Sequence, residues 1–234
     1  GGDVAFGAGL SNGDNAIYKT AGGIAPVAIE GESAPGSGGQ TFTGFGSPVM
    51  NSAGEVVFMG LTTTNVSGGN SGVYTDVGGV LQVVAFEGDA APEGGGAAFT
   101  SFRPPTINAS GDIAFGASTT PNANGGDFGL YVFLQNGGLE KIIAEGDVIE
   151  VATGDFHTFD GNMSFLSNSG NDDGRAGGFS DNRDLTFRLS FTDGSTGIFV
   201  ARINAVPEPH SVAIWLLLGL SLAAFGYYRA RGKK

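Results

Sequence analysis

Short apolar runs recur along the chain, each closed by a polar turn that contains glycine. Gly2-Asp3-Val4-Ala5-Phe6 returns as Gly54-Glu55-Val56-Val57-Phe58, as Gly111-Asp112-Ile113-Ala114-Phe115 and, more loosely, as Asp184-Leu185-Thr186-Phe187. A second run is Ile17-Tyr18, Gly72-Val73-Tyr74, Gly129-Leu130-Tyr131 and Gly197-Ile198-Phe199. A third is Val27-Ala28-Ile29-Glu30-Gly31-Glu32, Val84-Ala85-Phe86-Glu87-Gly88-Asp89 and Ile143-Ala144-Glu145-Gly146-Asp147. A fourth is Phe42-Thr43-Gly44-Phe45, Phe99-Thr100-Ser101-Phe102 and Phe156-His157-Thr158-Phe159. Phe42, Phe99 and Phe156 stand 57 residues apart, which sets the period of an internal repeat. Runs this short, built from Val, Ile, Phe and Tyr, predict strands.

The pattern therefore predicts an all-β protein of tandem repeats at about 1–50, 51–107, 108–166 and 167–203, with four strands in each. Asn51-Ser52-Ala53-Gly54 and Asn108-Ala109-Ser110-Gly111 are the turns between repeats. In the first strand Val4, Val56, Ile113 and Leu185 share a face with the phenylalanines, while Ala5, Val57, Ala114 and Thr186 form the other face. Both faces are mostly apolar. A sheet wet on one side alternates apolar with polar residues, so these sheets are expected to be covered on both sides. Stacked four-stranded blades of a partial β-propeller meet that requirement; a β-solenoid or serial small sandwiches are the alternatives. The chain opens inside a copy of the pattern, so a parent with an earlier start and an export signal is the expectation.

The C-terminal end has a different pattern. From Ser211 to Tyr228 there are 18 residues without a charge. As a helix they would span roughly 27 Å, close to a bilayer's hydrocarbon thickness. This predicts a transmembrane helix, with a buried core helix as the alternative. Trp215 at one end and Tyr227 and Tyr228 at the other suit the membrane interfaces. Arg229, Arg231, Lys233 and Lys234 follow as a basic tail at 229–234, which places the C-terminus in the cytoplasm and the repeats across the inner membrane.

Composition sharpens the split. Glycine accounts for 43 of 234 residues without a three-residue period, which excludes collagen and argues against helices. There is no Cys and only two His, so disulfides, thiolate metal sites and thiol nucleophiles are excluded. Four of the 11 basic residues lie in the last six positions, so residues 1–205 carry seven basic and 22 acidic groups. Such a domain repels nucleic acid, which is not expected as a partner.

Between repeats and span, in the linker 204–210, stands Val206-Pro207-Glu208-Pro209, whose prolines keep the backbone extended and unpaired. The motif, the apolar span and the basic end together closely resemble the PEP-CTERM sorting signal of Gram-negative bacteria, a tail that is also labelled as an ice-binding protein C-terminal domain. The resemblance covers residues 206–234. It implies recognition by an exosortase, removal of the tail and delivery to the cell envelope or extracellular matrix, with membrane lipid as the partner before processing. The ice-binding label is not followed, because Thr62-Thr63-Thr64 and Thr119-Thr120 do not recur at one position. The repeats resemble the bacterial NxxGxxAF tandem-repeat proteins: Asn108-x-x-Gly111-x-x-Ala114-Phe115 matches fully, and Asn51-x-x-Gly54-x-x-Val57-Phe58 has Val for Ala. In the last copy Asn182 and Phe187 sit near the right places without a Gly between them.

Candidate chemistry is sparse. Glu30 and Glu32, Glu87 and Asp89, and Glu145 and Asp147 each put two carboxylates at a strand end in a Gly-rich loop, which suits Ca²⁺ or simply a solvated turn. Residues 168–174 are similar to an EF-hand loop but lack the opening Asp, and Ser180 stands where the bidentate Glu belongs. Asp155, His157 and Asp160 break the repeat by replacing Thr41, Thr43 and Gly46 of the first copy, and offer a carboxylate–imidazole pair for metal binding or acid–base work, or an exposed His on an acidic surface. No G-x-S-x-G, phosphate-loop, H-E-x-x-H or dinucleotide motif is present, so no catalytic residue is assigned. The expected function is an exported, non-catalytic surface protein for adhesion or polysaccharide binding. The alternatives are a secreted polysaccharide-active enzyme using carboxylates, and a plain membrane protein that keeps its helix.

Overall fold

The computed structural model describes residues 2–64, 69–92, 96–122, 124–165 and 178–203. It is all-β and contains four antiparallel sheets. The first holds β1 (Ala5–Gly9), β2 (Asn15–Lys19) and β3 (Ala25–Ile29). The second holds β4 (Phe42–Phe45), β5 (Val49–Met50), β6 (Val56–Thr62), β7 (Ser71–Thr75) and β8 (Gln82–Phe86), with β4 and β5 successive pieces of one outer strand against β6. The third repeats this arrangement with β9 (Phe99–Phe102), β10 (Thr106–Ile107), β11 (Ile113–Thr119), β12 (Phe128–Leu134) and β13 (Gly138–Ala144). The fourth runs β14 (Val148–Ala152), β15 (Asp155–Phe165), β16 (Asp184–Phe191), β17 (Thr196–Arg202). Among the described residues no helix is long and apolar enough to cross a membrane. The span 211–228, the sorting motif, the basic tail and the EF-hand-like loop at 168–174 lie outside the described residues.

The sheets are offset from the sequence repeats. The second sheet runs from Phe42 to Phe86 and the third from Phe99 to Ala144, so the Asn-x-x-Gly turn joins β5 to β6, and β10 to β11, inside a sheet.

Strand parity decides what packs where. In the second sheet Val56, Phe58 and Tyr74 face the first sheet, joining Ile17 and Ala28 in one core. Val57 and Val73 point the other way and join Phe99, Ile113, Phe115 and Tyr131 of the third sheet. Ala114, Leu130 and Val132 leave the third sheet's far face to pack on Leu185, Phe187 and Leu189 of the fourth. The aromatic rings repeat this geometry. Phe42, Phe45, Phe58 and Tyr74 form a cluster in which Phe42 meets Tyr74 edge-on at 5.0 Å and Phe58 stacks on Tyr74 at 5.9 Å. In Phe99, Phe102, Phe115 and Tyr131 the same pairs lie at 5.0 and 6.0 Å. Each such ring pair adds about 0.5–1.5 kcal/mol beyond the area that it buries. The stacked pair also recurs as Phe6–Tyr18 at 5.9 Å and as Phe187–Phe199 at 6.3 Å, where Phe199 also meets Phe191 edge-on at 5.7 Å.

Two expectations about register are corrected. Phe156 is not the counterpart of Phe42 and Phe99. The backbone N–H of Gly31 donates to Phe42 O and that of Gly88 to Phe99 O, but Gly146 donates to Phe159 O. The loop after Gly146 is two residues longer than its counterparts and folds into the β14–β15 hairpin, which carries Phe156 outward. Phe156 is 62% exposed and Phe159 is 0% exposed. The counterpart of Asn51 and Asn108 in the fourth sheet is Ser180, two residues before Asn182. Ser180 N–H donates to Asp184 O and Arg183 N–H donates to Ser180 O, as Asn51 N–H does to Glu55 O and Gly54 N–H to Asn51 O. Ser180 therefore opens the last turn, and Arg183 stands where Gly54 and Gly111 stand in the others.

This assignment predicts unequal costs. Phe159→Ala should lose about 3–5 kcal/mol of stability in chemical denaturation, whereas Phe156→Ala should stay within about 0.5 kcal/mol of the parent.

Candidate functional site

The paired acids of the third run turn inward to the backbone. Glu30 Oε2 accepts from the N–H and the side-chain amide of Asn15, at 2.9 and 2.8 Å. Glu87 Oε2 accepts from Asn70 N–H at 3.0 Å and Ser71 Oγ at 3.2 Å, and Glu145 Oε2 accepts from Asp127 N–H at 3.0 Å. Each of these glutamates satisfies the start of the neighbouring strand. The aspartates bond back onto their own turns: Asp89 Oδ2 accepts from Phe86 N–H and Asp147 Oδ2 from Ala144 N–H, both at 2.9 Å. Asp147 also holds Lys141 Nζ at 3.1 Å. Glu32 stands on an exposed turn. Partners in two directions separate Glu87 from Asp89 and Glu145 from Asp147, and among the described residues no group of three His, Asp or Glu is placed to hold a metal ion.

The aspartates act on the tyrosines behind them. Burial, with the charge of Asp147 added, pushes the Tyr131 hydroxyl up to about 12. Burial and the Asp89 charge drive Tyr74 further above the ordinary tyrosine range. The Tyr74 hydroxyl is fully buried and has no hydrogen-bond partner among the described residues.

The break in the repeat at Asp155 and His157 does form a cluster, and two members of it were not read from the sequence. His157 Nε2 lies 3.1 Å from Asp155 Oδ1, as their shared strand face requires. Its Nδ1 lies 2.9 Å from Asp193 Oδ2 and 3.1 Å from Ser195 Oγ. Ser195 Oγ donates to Asp193 Oδ1 at 2.7 Å. Hydrogen bonds from the Ser195 hydroxyl and N–H, and then the nearby imidazole, hold the Asp193 carboxyl below its usual range. Asp160 takes no part; it accepts from Asn162 N–H at 2.8 Å, inside the bulge of β15. Asp193-Gly194 between two apolar runs is a hairpin signal, but its meeting with His157 depends on the β15–β16 register. Chemically, the cluster gives the ring a carboxylate at each nitrogen, and the Ser195 hydroxyl lies within hydrogen-bond distance of both Asp193 and the imidazole. It ties the β14–β15 hairpin to the β16–β17 hairpin.

A second constellation links the sheets. Asn51 Nδ2 donates to Asn108 O at 2.9 Å, and Asn108 Nδ2 donates to Ser180 O at 3.2 Å, so each turn is bonded to its counterpart in the next sheet. Gly54 and Gly111 have φ of 79° there. A Cβ at Gly54 would fall 2.5 Å from Ala21 Cβ, and one at Gly111 would fall 3.0 Å from Val77 Cγ1. Arg183 holds the same left-handed conformation, φ 63°, as a non-glycine. Its guanidinium reaches back to fully buried Asp112, with Nε at 2.7 Å from Oδ2 and Nη2 at 3.2 Å from Oδ1. At the first boundary Lys19 Nζ pairs with Asp76 and donates to Gly54 O at 3.0 Å.

Beside the last boundary, an open apolar groove of about 410 Å³ runs between Ile142, Val148 and Ile149 on one side and Phe187, Leu189 and Phe199 on the other. Val206 to Pro209, and the anchor residues Ser211, Trp215, Tyr227, Tyr228, Arg229, Arg231, Lys233 and Lys234, lie outside the described residues.

Two substitutions test these assignments. Below pH 10 the Tyr131 proton is held in both folded and unfolded chains. Between pH 10 and about 12 only the unfolded chain releases it, so stability falls as pH rises. Tyr131→Phe should flatten that fall by about 1.4 kcal/mol per pH unit in urea titrations at pH 10–12. Arg183→Gly should relieve about 1–2 kcal/mol of backbone strain but strip Asp112 of its cationic partner, for a net loss of about 2–4 kcal/mol in the same assay at pH 7.

Residues 1–213 match the sequence profile of a family of unknown function, DUF7453, and the chain belongs to that family. No curated protein and no solved structure matches it.

Proposed function

We propose that this protein is an exported surface or matrix protein, sorted by an exosortase through residues 206–234, whose acidic repeat domain serves adhesion or polysaccharide binding without catalysis. The observation that carries the proposal is the order Pro207-Glu208-Pro209, an uncharged stretch of 18 residues, then four cations within the last six positions. An extended Pro-flanked Glu outside a membrane span is a substrate form for a membrane transpeptidase, and the cations fix which end stays in the cytoplasm. The recurrent acids, which would be the first choice for a carboxylate-based enzyme, are engaged by strand-end N–H groups. That favours a display role over a polysaccharide-active enzyme. The sheets are read as blades of a propeller-type array, supported by the recurrence of ring geometry between one sheet and the next.

The test is the mature C-terminus in the native host. Intact-mass and fractionation measurements should find the parent cleaved near the motif and released from the inner membrane. Pro207→Ala with Pro209→Ala should leave the tail attached and the protein in the membrane fraction. Unchanged sorting and mass for the double variant would refute the proposal.

A further inference from the structure

The β14–β15 hairpin is where the molecule departs from its own repeat. In the first two copies the matching loop closes with one isolated bridge, Ser33 to Thr41 and Ala90 to Ala98. The matching pair here is Val148 and Thr158, and pairing continues outward to Ala152 and Asp155. The outermost backbone hydrogen bond between β15 and the end of β16 runs from Thr192 N–H to Thr158 O, at 3.0 Å. Beyond it, among the described residues, the polar link from the hairpin to the β16–β17 turn is the His157 side chain.

That link is built for a charged ring. Asp155 Oδ1 stands 3.1 Å from Nε2, and Asp193 Oδ2 stands 2.9 Å from Nδ1. A neutral imidazole has one N–H, so in either tautomer one carboxylate would face a nitrogen lone pair; an imidazolium donates to both. Ser195 Oγ lies 3.1 Å from Nδ1 and 2.7 Å from Asp193 Oδ1. Once Nδ1 gives up its proton, the serine hydroxyl can turn from Asp193 to Nδ1, and the Asp193 carboxylate is left against a lone pair. The ring is 18% exposed and leans on Phe191, with centroids 5.0 Å apart. Asp193 remains ionised while an imidazole titrates, because the Ser195 hydroxyl and N–H, and then the imidazole, hold its carboxyl below the usual carboxylate range. The charged groups of the neighbouring elements are engaged elsewhere. Ile149 is the cross-strand partner of His157 on β14, while Glu150 accepts from Gly154 N–H at 2.8 Å. Asp147 holds Lys141, Asp160 accepts from Asn162 N–H, and Arg188 lies on the face of β16 opposite Phe191.

We infer that His157 is a proton-operated latch: its imidazolium clamps the β14–β15 hairpin to the Asp193–Ser195 turn, and loss of the proton frees the hairpin, with the exposed Phe156 on it, from that turn. A proton bound more tightly in the latched form than in the released one favours the latch at low pH. Closure is therefore favoured at the acid end of about pH 5–8 and is lost as pH rises through that range. Both carboxylates are more than half exposed, so the proton shifts the opening equilibrium by about two- to fivefold. This inference goes beyond the sorting reading and does not depend on it.

The test follows the ring and the hairpin together in the full-length protein, held in mild detergent. Imidazole nitrogen shifts in NMR, assigned by their loss in His157→Gln, report the titration of the ring. Backbone hydrogen exchange, corrected for the intrinsic effect of pH on exchange, reports the opening of residues 149–157. Opening should rise about two- to fivefold between about pH 5 and 8, with its midpoint at the midpoint of the ring titration. His157→Gln should remove the pH dependence, Asp193→Asn should shrink it, and β12 should show none. Three outcomes would each overturn the inference: opening that stays constant while the ring titrates, opening that falls as pH rises, and a pH dependence that survives in His157→Gln. If a variant folds poorly, the two midpoints of the parent decide: coincidence supports the latch, and separate midpoints overturn it.

Discussion

Everything in this structure depends on sheets that are apolar on both faces. A β-sheet with one wet face can end a fold, but a sheet with Phe58 and Tyr74 on one side and Val57 and Val73 on the other cannot stand alone. Burying one such side chain fully is worth about 1.5–3 kcal/mol, and every internal boundary buries many of them on this pattern. The Asn bridges between turns add about 1 kcal/mol each. The magnitudes rank the causes: apolar faces bring the sheets together, and the turn hydrogen bonds fix the register at which they meet.

The corner where one sheet meets the next has been built in two ways. At Gly54 and Gly111 the backbone takes the left-handed conformation and comes within van der Waals reach of the preceding sheet, which a Cβ would prevent at Gly54. At Arg183 a side chain is present, and the corner is held by a bidentate ion pair with a carboxylate that has no exposure to water. The two solutions have different liabilities. The glycine corner is intolerant of added volume. The arginine corner tolerates volume but has an unpaired buried charge as its failure state, which costs more than the strain that the arginine accepts.

Strand positions and their inward faces were legible because parity along a strand is a local property: Val56 and Phe58 had to share a face whatever the fold. The repeat period was legible for the same reason. What failed was spacing where the chain changes length. Counting 57 residues from Phe99 lands on Phe156, but one extra residue before Gly146 and two in the loop after it move the buried ring to Phe159, and no residue type announces either insertion. The last turn was misplaced because neither Ser180 nor Arg183 has the composition of an Asn-x-x-Gly turn, although the backbone hydrogen bonds are the same. Asp155 and His157 were found together because they are two apart on a strand. Asp193 and Ser195 were missed because their approach depends on pairing between strands that are distant in sequence. The paired acids looked like a cation site from composition; the direction in which each one turns is set by which strand end lacks a partner, and a linear sequence does not display that.

Repetition also limits where function can sit. A residue that recurs at each boundary, such as Glu30, Glu87 and Glu145, is accounted for by what each copy of the sheet needs, and its recurrence is explained without a ligand. Chemistry particular to this molecule must therefore lie where the repeat is broken. Among the described residues the β14–β15 hairpin with its His157 cluster is such a place. The hairpin's polar groups bond to one another, and its exposed ring, Phe156, is offered to solvent without a neighbouring aromatic that would make a sugar platform.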